Sequence, residues 1–297
     1  MFLSPKSGMM FERDAMLVQR LEQFARGFRA DFRRREQAEW AAVYLQGLLQ
    51  TDGRKTIENL ARFVNLPDSL RVEDVAQALQ HFINQSPWDE QKIYQRYFGL
   101  LTERLGSGIF VLEELAFVKQ GRHSVGVQRQ YSTVLSRKAN CQIAVALHYL
   151  SPAGFHPLAM RLYLPRRWLE DKPRLDAAGV PEAARTLTSK TMLALELLDM
   201  ARAAGIPGNE VAPGSAWSRS DELSERVRER GLDWRDELPS HSVEILRRGR
   251  EGLQHELGLE HFEGRSWRGF HHHACLVVLA SALSSCLQNE EVECFRA

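Results

Sequence analysis

Apolar residues in the first third of the chain recur at helical spacing. Val18, Leu21, Phe24, Ala25 and Phe28 mark one such stripe, and Trp40, Val43, Tyr44 and Leu48 mark another beyond the basic run Arg33 to Arg35. Two shorter helical segments follow, Thr56 to Val64 and Val72 to Asn84. Ser86-Pro87-Trp88-Asp89 then reads as a helix start, with serine as N-cap, proline at the first helical position and aspartate completing a capping box. This predicts helices throughout residues 13–104.

The period changes at Gly106 to Gly108. Ile109 to Leu115, Val127 to Ser132, Asn140 to Leu150 and Leu158 to Leu164 read as strands joined by Gly-, Ser- or Pro-bearing loops. Their closeness in sequence predicts an antiparallel meander. Ser189 to Ala204 is an amphipathic helix ended by Gly205 and Pro207. A short strand begins at Val211. A helix over Ser218 to Arg230 has Ser218 and Asp221 spaced as a capping box. Leu246 to Leu257 and Trp267 to Leu287 close the chain as helices. The whole reads as an α+β protein, with a helical region over residues 1–105 and a strand-containing core over 106–297.

Composition narrows the picture only a little. The 297 residues carry a net charge of +1, so any attraction to nucleic acid must come from local patches. The four cysteines form no CxxC pair, which points to free thiols in a reducing compartment and to a cytoplasmic protein. The first residues lack a sustained apolar core, so no signal peptide is expected. Ala274 to Leu287 is the best apolar run. It is shorter than the ~20 residues of a membrane span and holds three serines, which predicts a buried core helix and no membrane partner.

Two stretches carry candidate chemistry. The first runs from Gly108 to Ser132: an apolar strand, the adjacent carboxylates Glu113 and Glu114, a basic loop, then a second strand. The second is Gly258 to His273, with Arg265, Trp267, Arg268 and three consecutive histidines. Consecutive helical residues point about 100° apart, so His271, His272 and His273 share one ion poorly. They are expected at a helix start beside DNA or solvent. Arg265, Trp267 and Arg268 suit phosphate contact and base stacking, or else a core tryptophan flanked by helix-capping arginines. Lys119, Arg122 and His123 form a basic loop suited to phosphate or to a solvated turn. Thr56 to Asn84, with a turn at Pro67-Asp68, has the outline of a helix-turn-helix reader with Arg54, Lys55, Arg62 and Arg71 on phosphates.

These stretches resemble the DDE transposases of bacterial insertion sequences. The resemblance rests on Glu113-Glu114, Leu115-Ala116-Phe117, Lys119 to Val127, Arg129 to Ser132, Ala139 to Gln142, Leu162 to Pro165 and Gly264 to Trp267, in order over roughly residues 30 to 285. It implies a ribonuclease-H-like core, an order of elements that other α+β folds share. It also implies a DNA-binding helical region and a two-metal site for cleavage and strand transfer on double-stranded transposon ends. Mg²⁺ or Mn²⁺ would serve if the protein is active. Possible protein partners are a second copy or a homologous transposase.

Several departures stand beside the resemblance. Glu113 occupies the place of the first aspartate, one methylene longer, and would be the metal ligand if there is one. Pro213 stands at the place of the second aspartate and offers no ligand atom. The third carboxylate is expected near Arg247, where only Glu244 and Glu251 are close; Glu251 is the stand-in. A strand ending at Leu238-Pro239-Ser240 is followed at once by helix-like sequence, which reads as an internal deletion and a truncated core. The sequence thus predicts a DNA-binding relative with impaired or lost chemistry, whose Glu113-Glu114 pair is solvated at a strand end. Three alternatives stand beside it: an active metal-dependent transposase or nuclease using Glu113 and Glu114, a non-enzymatic regulator of transposition, and a decayed reading frame.

Overall fold

In the computed structural model, the backbone of residues 5–288 and the side chains of 16–287 are described. The N-terminal helices are α1 (Pro5–Gly27), α2 (Arg35–Gln50), α3 (Ile57–Phe63), α4 (Val75–Asn84) and α5 (Glu90–Thr102). The basic run Arg33 to Arg35 lies at the break between α1 and α2. There the Gln37 side-chain oxygen accepts from the backbone N–H groups of Arg33 and Arg34, while its amide donates to Ser86. Ser86 is therefore engaged elsewhere, and α5 starts later than the sequence predicts. Asp89 is its N-cap, accepting from the Gln91 N–H at 3.0 Å. Trp88 is pulled into the core, stacked on His272 with ring centroids 3.6 Å apart.

The strands are β1 (Gly108–Val118), β2 (Gln128–Ser132), β3 (Arg137–Ser151), β4 (Gly154–Leu162), β5 (Gly208–Pro213) and β6 (Asp233–Trp234). They do not form the expected meander. The long β3 pairs antiparallel with β1 along one edge; its other edge is shared by β2 at one end and β4 at the other. Beyond β1, β5 and then β6 add in parallel. The path β4-β3-β1-β5-β6 thus has β1 at its centre. Strands β1 and β2 cannot be neighbours, because β3 is long enough to occupy the whole edge of β1 from Ile109 to Val118.

Helices α6 (Arg166–Leu169), α7 (Lys172–Ala177) and α8 (Lys190–Ala203) lie between β4 and β5, as the crossover that a parallel pair requires. Ser189 caps α8 through the Met192 N–H, at the start of the helix that the sequence predicts from Ser189 to Ala204. Helix α9 (Asp221–Arg228) is capped by Ser220 rather than Ser218, whose hydroxyl bonds back to the Ser215 carbonyl. Helix α10 (Ser240–Glu251) begins six residues before the expected Leu246 and runs into a π-turn over Gly252–Glu256. The preceding strand ends at Trp234, not at Ser240, which is already helical.

Helix α11 (Trp267–Gln288) is the axle of the structure. It packs along β4 and against α2, α4 and α5, so one continuous apolar core joins the N-terminal helices to the sheet. It is long and apolar enough to span a bilayer, and it is mostly buried inside the protein. The three histidines at its start are not at the surface, contrary to expectation: all are at most 2% exposed. They point in three directions. His271 Nε2 accepts from the Leu162 N–H of β4, and its Nδ1 faces the Trp267 carbonyl. His272 lies between the carbonyls of Ile83 and Trp88. His273 bonds Tyr44 of α2 and the Gly258 carbonyl. Cys141 and Cys275 are buried free thiols, but Cys286 is disulfide-bonded, so not all four cysteines are free as expected.

Burial of the imidazoles holds them neutral. It pushes the pKa down from 6.5 to about 3 for His271 and to about 4 for His272 and His273. In the unfolded chain these rings take up protons near pH 6.5, while in the folded chain they do so only near pH 3 to 4. The unfolded state thus binds more protons between those values, and stability falls as pH drops through that window. The slope is about 1.4 kcal/mol per histidine for each pH unit. Denaturant midpoints measured from pH 7.5 to 4.5 should be flat at the upper end and fall steeply below about 6.5. A midpoint constant across the range would show that the rings are charged in the folded state.

Candidate functional site

Glu113 and Glu114 lie midway along β1, the central strand, not at a strand end. They are 5% and 3% exposed, so the expected solvated pair is not what the fold builds. Side chains alternate along a strand, which sends the two carboxylates to opposite faces of the sheet. They cannot meet at one ion.

On its face, Glu114 is held by the Lys190 ammonium at the start of α8, and Ser132 of β2 lies 3.4 Å from its other oxygen. On the opposite face, Glu113 receives Arg250 of α10 at 3.1 Å. His148 of β3, fully buried, stands 3.3 Å from the second Glu113 oxygen. The register explains this neighbour. Glu113 pairs with Ala146, so His148 two residues on projects from the same face.

Arg250 reaches Glu113 because α10 lies unusually close to the sheet. Gly249 sits against the Phe155 ring, where an added Cβ would approach ring carbon to 2.2 Å. Val111, Leu150 and Leu246 form a small apolar cluster beneath the same helix. The outer face of α10 carries Glu244, Arg247 and Glu251, tied to one another in surface ion pairs. Glu251 is thus an exposed partner of Arg247, and the residue that α10 presents to Glu113 is a cation.

The end of β5 completes the surroundings. Pro213 is in register with Leu112, and the Gly214 N–H donates to the Leu112 carbonyl at 2.6 Å. A Cβ on Gly214 would lie 3.2 Å from Cγ of Glu113, so the position beside Glu113 is filled by a residue with no side chain. Glu210, further back on β5, is in a bidentate pair with Arg235.

A divalent ion needs several converging oxygen ligands. Here one carboxylate faces a guanidinium and an imidazole, its neighbour faces away, and glycine lines the third side. Among the described residues no three His, Cys, Asp or Glu side chains are placed to hold a metal. The residues present do not fit a two-metal centre. Sequence reading did not single out Arg250, His148, Lys190 or Gly214. A histidine inside the apolar run of β3 was the one visible signal, since a buried histidine needs a polar partner.

The basic residues are placed differently from one another. Lys119 donates to the Phe262 carbonyl at 2.7 Å, and its burial pushes its pKa down. Arg268 caps the end of α4 at the Gln85 carbonyl. Trp267 is half-buried against His271 and the core. Arg122, His123 and Arg265 are exposed. Between α3 and α4 lies an eleven-residue connection, residues 64–74. That is longer than the ~3–4-residue turn of a helix-turn-helix. Lys55 is buried and bonded to the Thr51 carbonyl, and Arg54 pairs with Glu263.

Removing the cation from a buried pair leaves the carboxylate uncompensated, at a cost of about 3–5 kcal/mol for a fully buried partner. Arg250 is 36% exposed, so about 2 kcal/mol is expected for Arg250→Leu. Adding Glu113→Gln to Arg250→Leu should restore most of that loss. A double-mutant cycle by urea denaturation reads this directly, and strictly additive single losses would count against the pair.

The family model described as DDE superfamily endonuclease matches residues 27–249. Over 141 residues the chain is 31% identical to a probable transposase for insertion sequence element IS701 from Microchaete diplosiphon, covering 46% of this chain and 34% of that protein. The chain thus spans about a third of the length of the curated relative it matches. No solved structure matches. With three quarters of its length matched by the family, and with the β1 carboxylate and basic loop inside the match, the chain belongs to the DDE superfamily endonucleases, among the transposases of insertion sequences.

Proposed function

We propose that this protein binds DNA without cutting it, on a ribonuclease-H-like core that has lost its metal chemistry. The ancestral reaction is divalent-metal-dependent hydrolysis and transesterification of DNA phosphodiesters. The strand path supports the core: a central β1, an antiparallel β3 and β4 on one side, and parallel β5 and β6 on the other. On that core, the positions converging on Glu113 are the end of β5 and the inner face of α10. They carry Gly214 and Arg250.

The observation that carries the reading is the Arg250–Glu113 contact. A guanidinium compensates the carboxylate where a metal cluster would have to form, and it does so with a fixed charge that pH does not remove. DNA binding fits the family and the exposed basic loop at Arg122 and His123. The division at residue 105 is then functional rather than structural, with the helical part reading DNA while sharing a core with the sheet. The short connection from β6 to α10 fits a shortened core. A role as regulator of an active homologue is compatible with this reading.

A gel assay on labelled duplex spanning the repeats that flank the gene, with Mg²⁺, Mn²⁺ or EDTA, tests it. A shifted, uncut band in all three lanes is expected, and Glu113→Ala should shift the same DNA equally. Metal-dependent nicks abolished by Glu113→Ala would overturn the loss of chemistry.

A further inference from the structure

A cleft of about 1000 Å³ has two unlike walls. One is the outer face of α4, with Gln77, Gln80 and His81 exposed. These positions lie at i, i+3 and i+4, so they form one patch on the helix. None of their side chains has a hydrogen-bond partner among the described residues, and none is a carboxylate. The other wall carries His123, Arg174 and Arg265. Arg174 lies over the Trp168 ring at 3.8 Å and bonds the Arg122 and Val127 carbonyls, which fixes its charge at the cleft edge. Arg265 is exposed, and its guanidinium has no partner among the described residues. A further groove of about 460 Å³ shares His123 and Arg265 with the cleft and continues past Gln120. Glu263 borders both but is paired with Arg54 at 2.8 Å, and the exposed Glu260 lines the groove only, not the cleft.

A wall of free amides and an imidazole can both donate and accept, which suits the edges of bases. A facing wall with two arginines and a histidine, opening into a groove, suits phosphates. We infer that this cleft is the DNA-binding surface, with Gln77, Gln80 and His81 of α4 on base edges and His123, Arg174 and Arg265 on the phosphate backbone. The inference rests on the DNA-binding reading above and adds where the DNA lies and which helix reads it. Gln77 and His81 also border a second cleft, whose lining holds Arg34 but also Glu36, Glu73 and Asp74, which repel phosphate. The backbone therefore follows the Arg265 side alone. The buried Glu113 site is no part of this surface.

The test uses the full chain and 30-base-pair duplexes enriched from a random-sequence pool, followed by fluorescence anisotropy at several salt concentrations. Arg265→Ala should weaken binding several-fold on enriched and unselected duplexes alike, and lower the slope of log affinity against log salt by about one. Gln77→Ala and Gln80→Ala should each weaken binding to enriched duplexes about tenfold and leave unselected duplexes unaffected. Arg226→Ala on α9 should bind as the parent does. All positions are exposed, so an unchanged circular dichroism spectrum is expected; Arg265→Glu gives a stronger second version of the same loss.

Failure of any sequence to enrich would overturn base reading by α4. Cleft variants that bind as the parent does would overturn the site and leave DNA binding standing. A parent protein that binds no duplex would remove DNA binding itself and the site with it. Binding of poly-glutamate in preference to duplex, lost in Arg265→Ala, would assign the cleft to an acidic peptide and overturn the inference.

Discussion

A carboxylate in the middle of the central strand of a sheet must be neutralised, and most of what is distinctive in this protein follows from that. Glu113 is taken out of water by β3 on one side and β5 on the other. An isolated charge there would cost far more than the fold's net stability. A metal cluster is one solution, and Arg250 is another. The second demands that α10 lie close enough to deliver a guanidinium, hence the glycine against Phe155 and the small cluster of Val111, Leu150 and Leu246 beneath the helix. Lys190 does the same for Glu114 from the other face. The sheet thus carries two independent charge pairs, back to back through one strand.

The second constraint is α11. A helix buried on nearly every side has no polar face to spare, so each polar residue on it must find its own partner. The three histidines do so in three directions, to β4, to the α4–α5 link and to α2 with the Gly258 turn. Neutral imidazole suits His271 and His273, where one ring nitrogen donates and the other accepts, whereas neutral His272 between two carbonyls donates to only one of them. These bonds fasten the helical region to the sheet across one continuous apolar core.

How much of this was legible in the sequence depends on the range of the interaction. Periodicity located the helices and the strands, because burial of one face is written locally. One cap was misread because a tertiary contact intervened, Ser86 being held by Gln37, which left Asp89 to cap α5; another because Ser218 bonds locally to the Ser215 carbonyl. The meander failed because strand adjacency depends on the length of β3, not on chain order. Glu113 was found through its motif. The facing of Glu114, the burial of the histidines and the approach of Arg250 were not, since each is set by residues more than seventy positions away in sequence or by the two-residue alternation of a strand deep in the sheet. The doubled carboxylate looked like a ligand pair only while its strand was thought to end there.

A DNA surface and a metal site would make different demands on this fold, because they would depend on different parts of it. Cutting requires several carboxylates placed to a few tenths of an ångström on buried elements, and one substitution on α10 or β5 removes it. Binding depends on exposed side chains whose contributions are small and nearly independent, so it erodes slowly. The Arg250–Glu113 contact also has an energetic advantage. A cluster of converging carboxylates without its metal is self-repelling, whereas Glu113 with Arg250 is compensated in the folded chain at all times. With Arg250 in place, Glu113 needs no ion to be compensated in the folded chain.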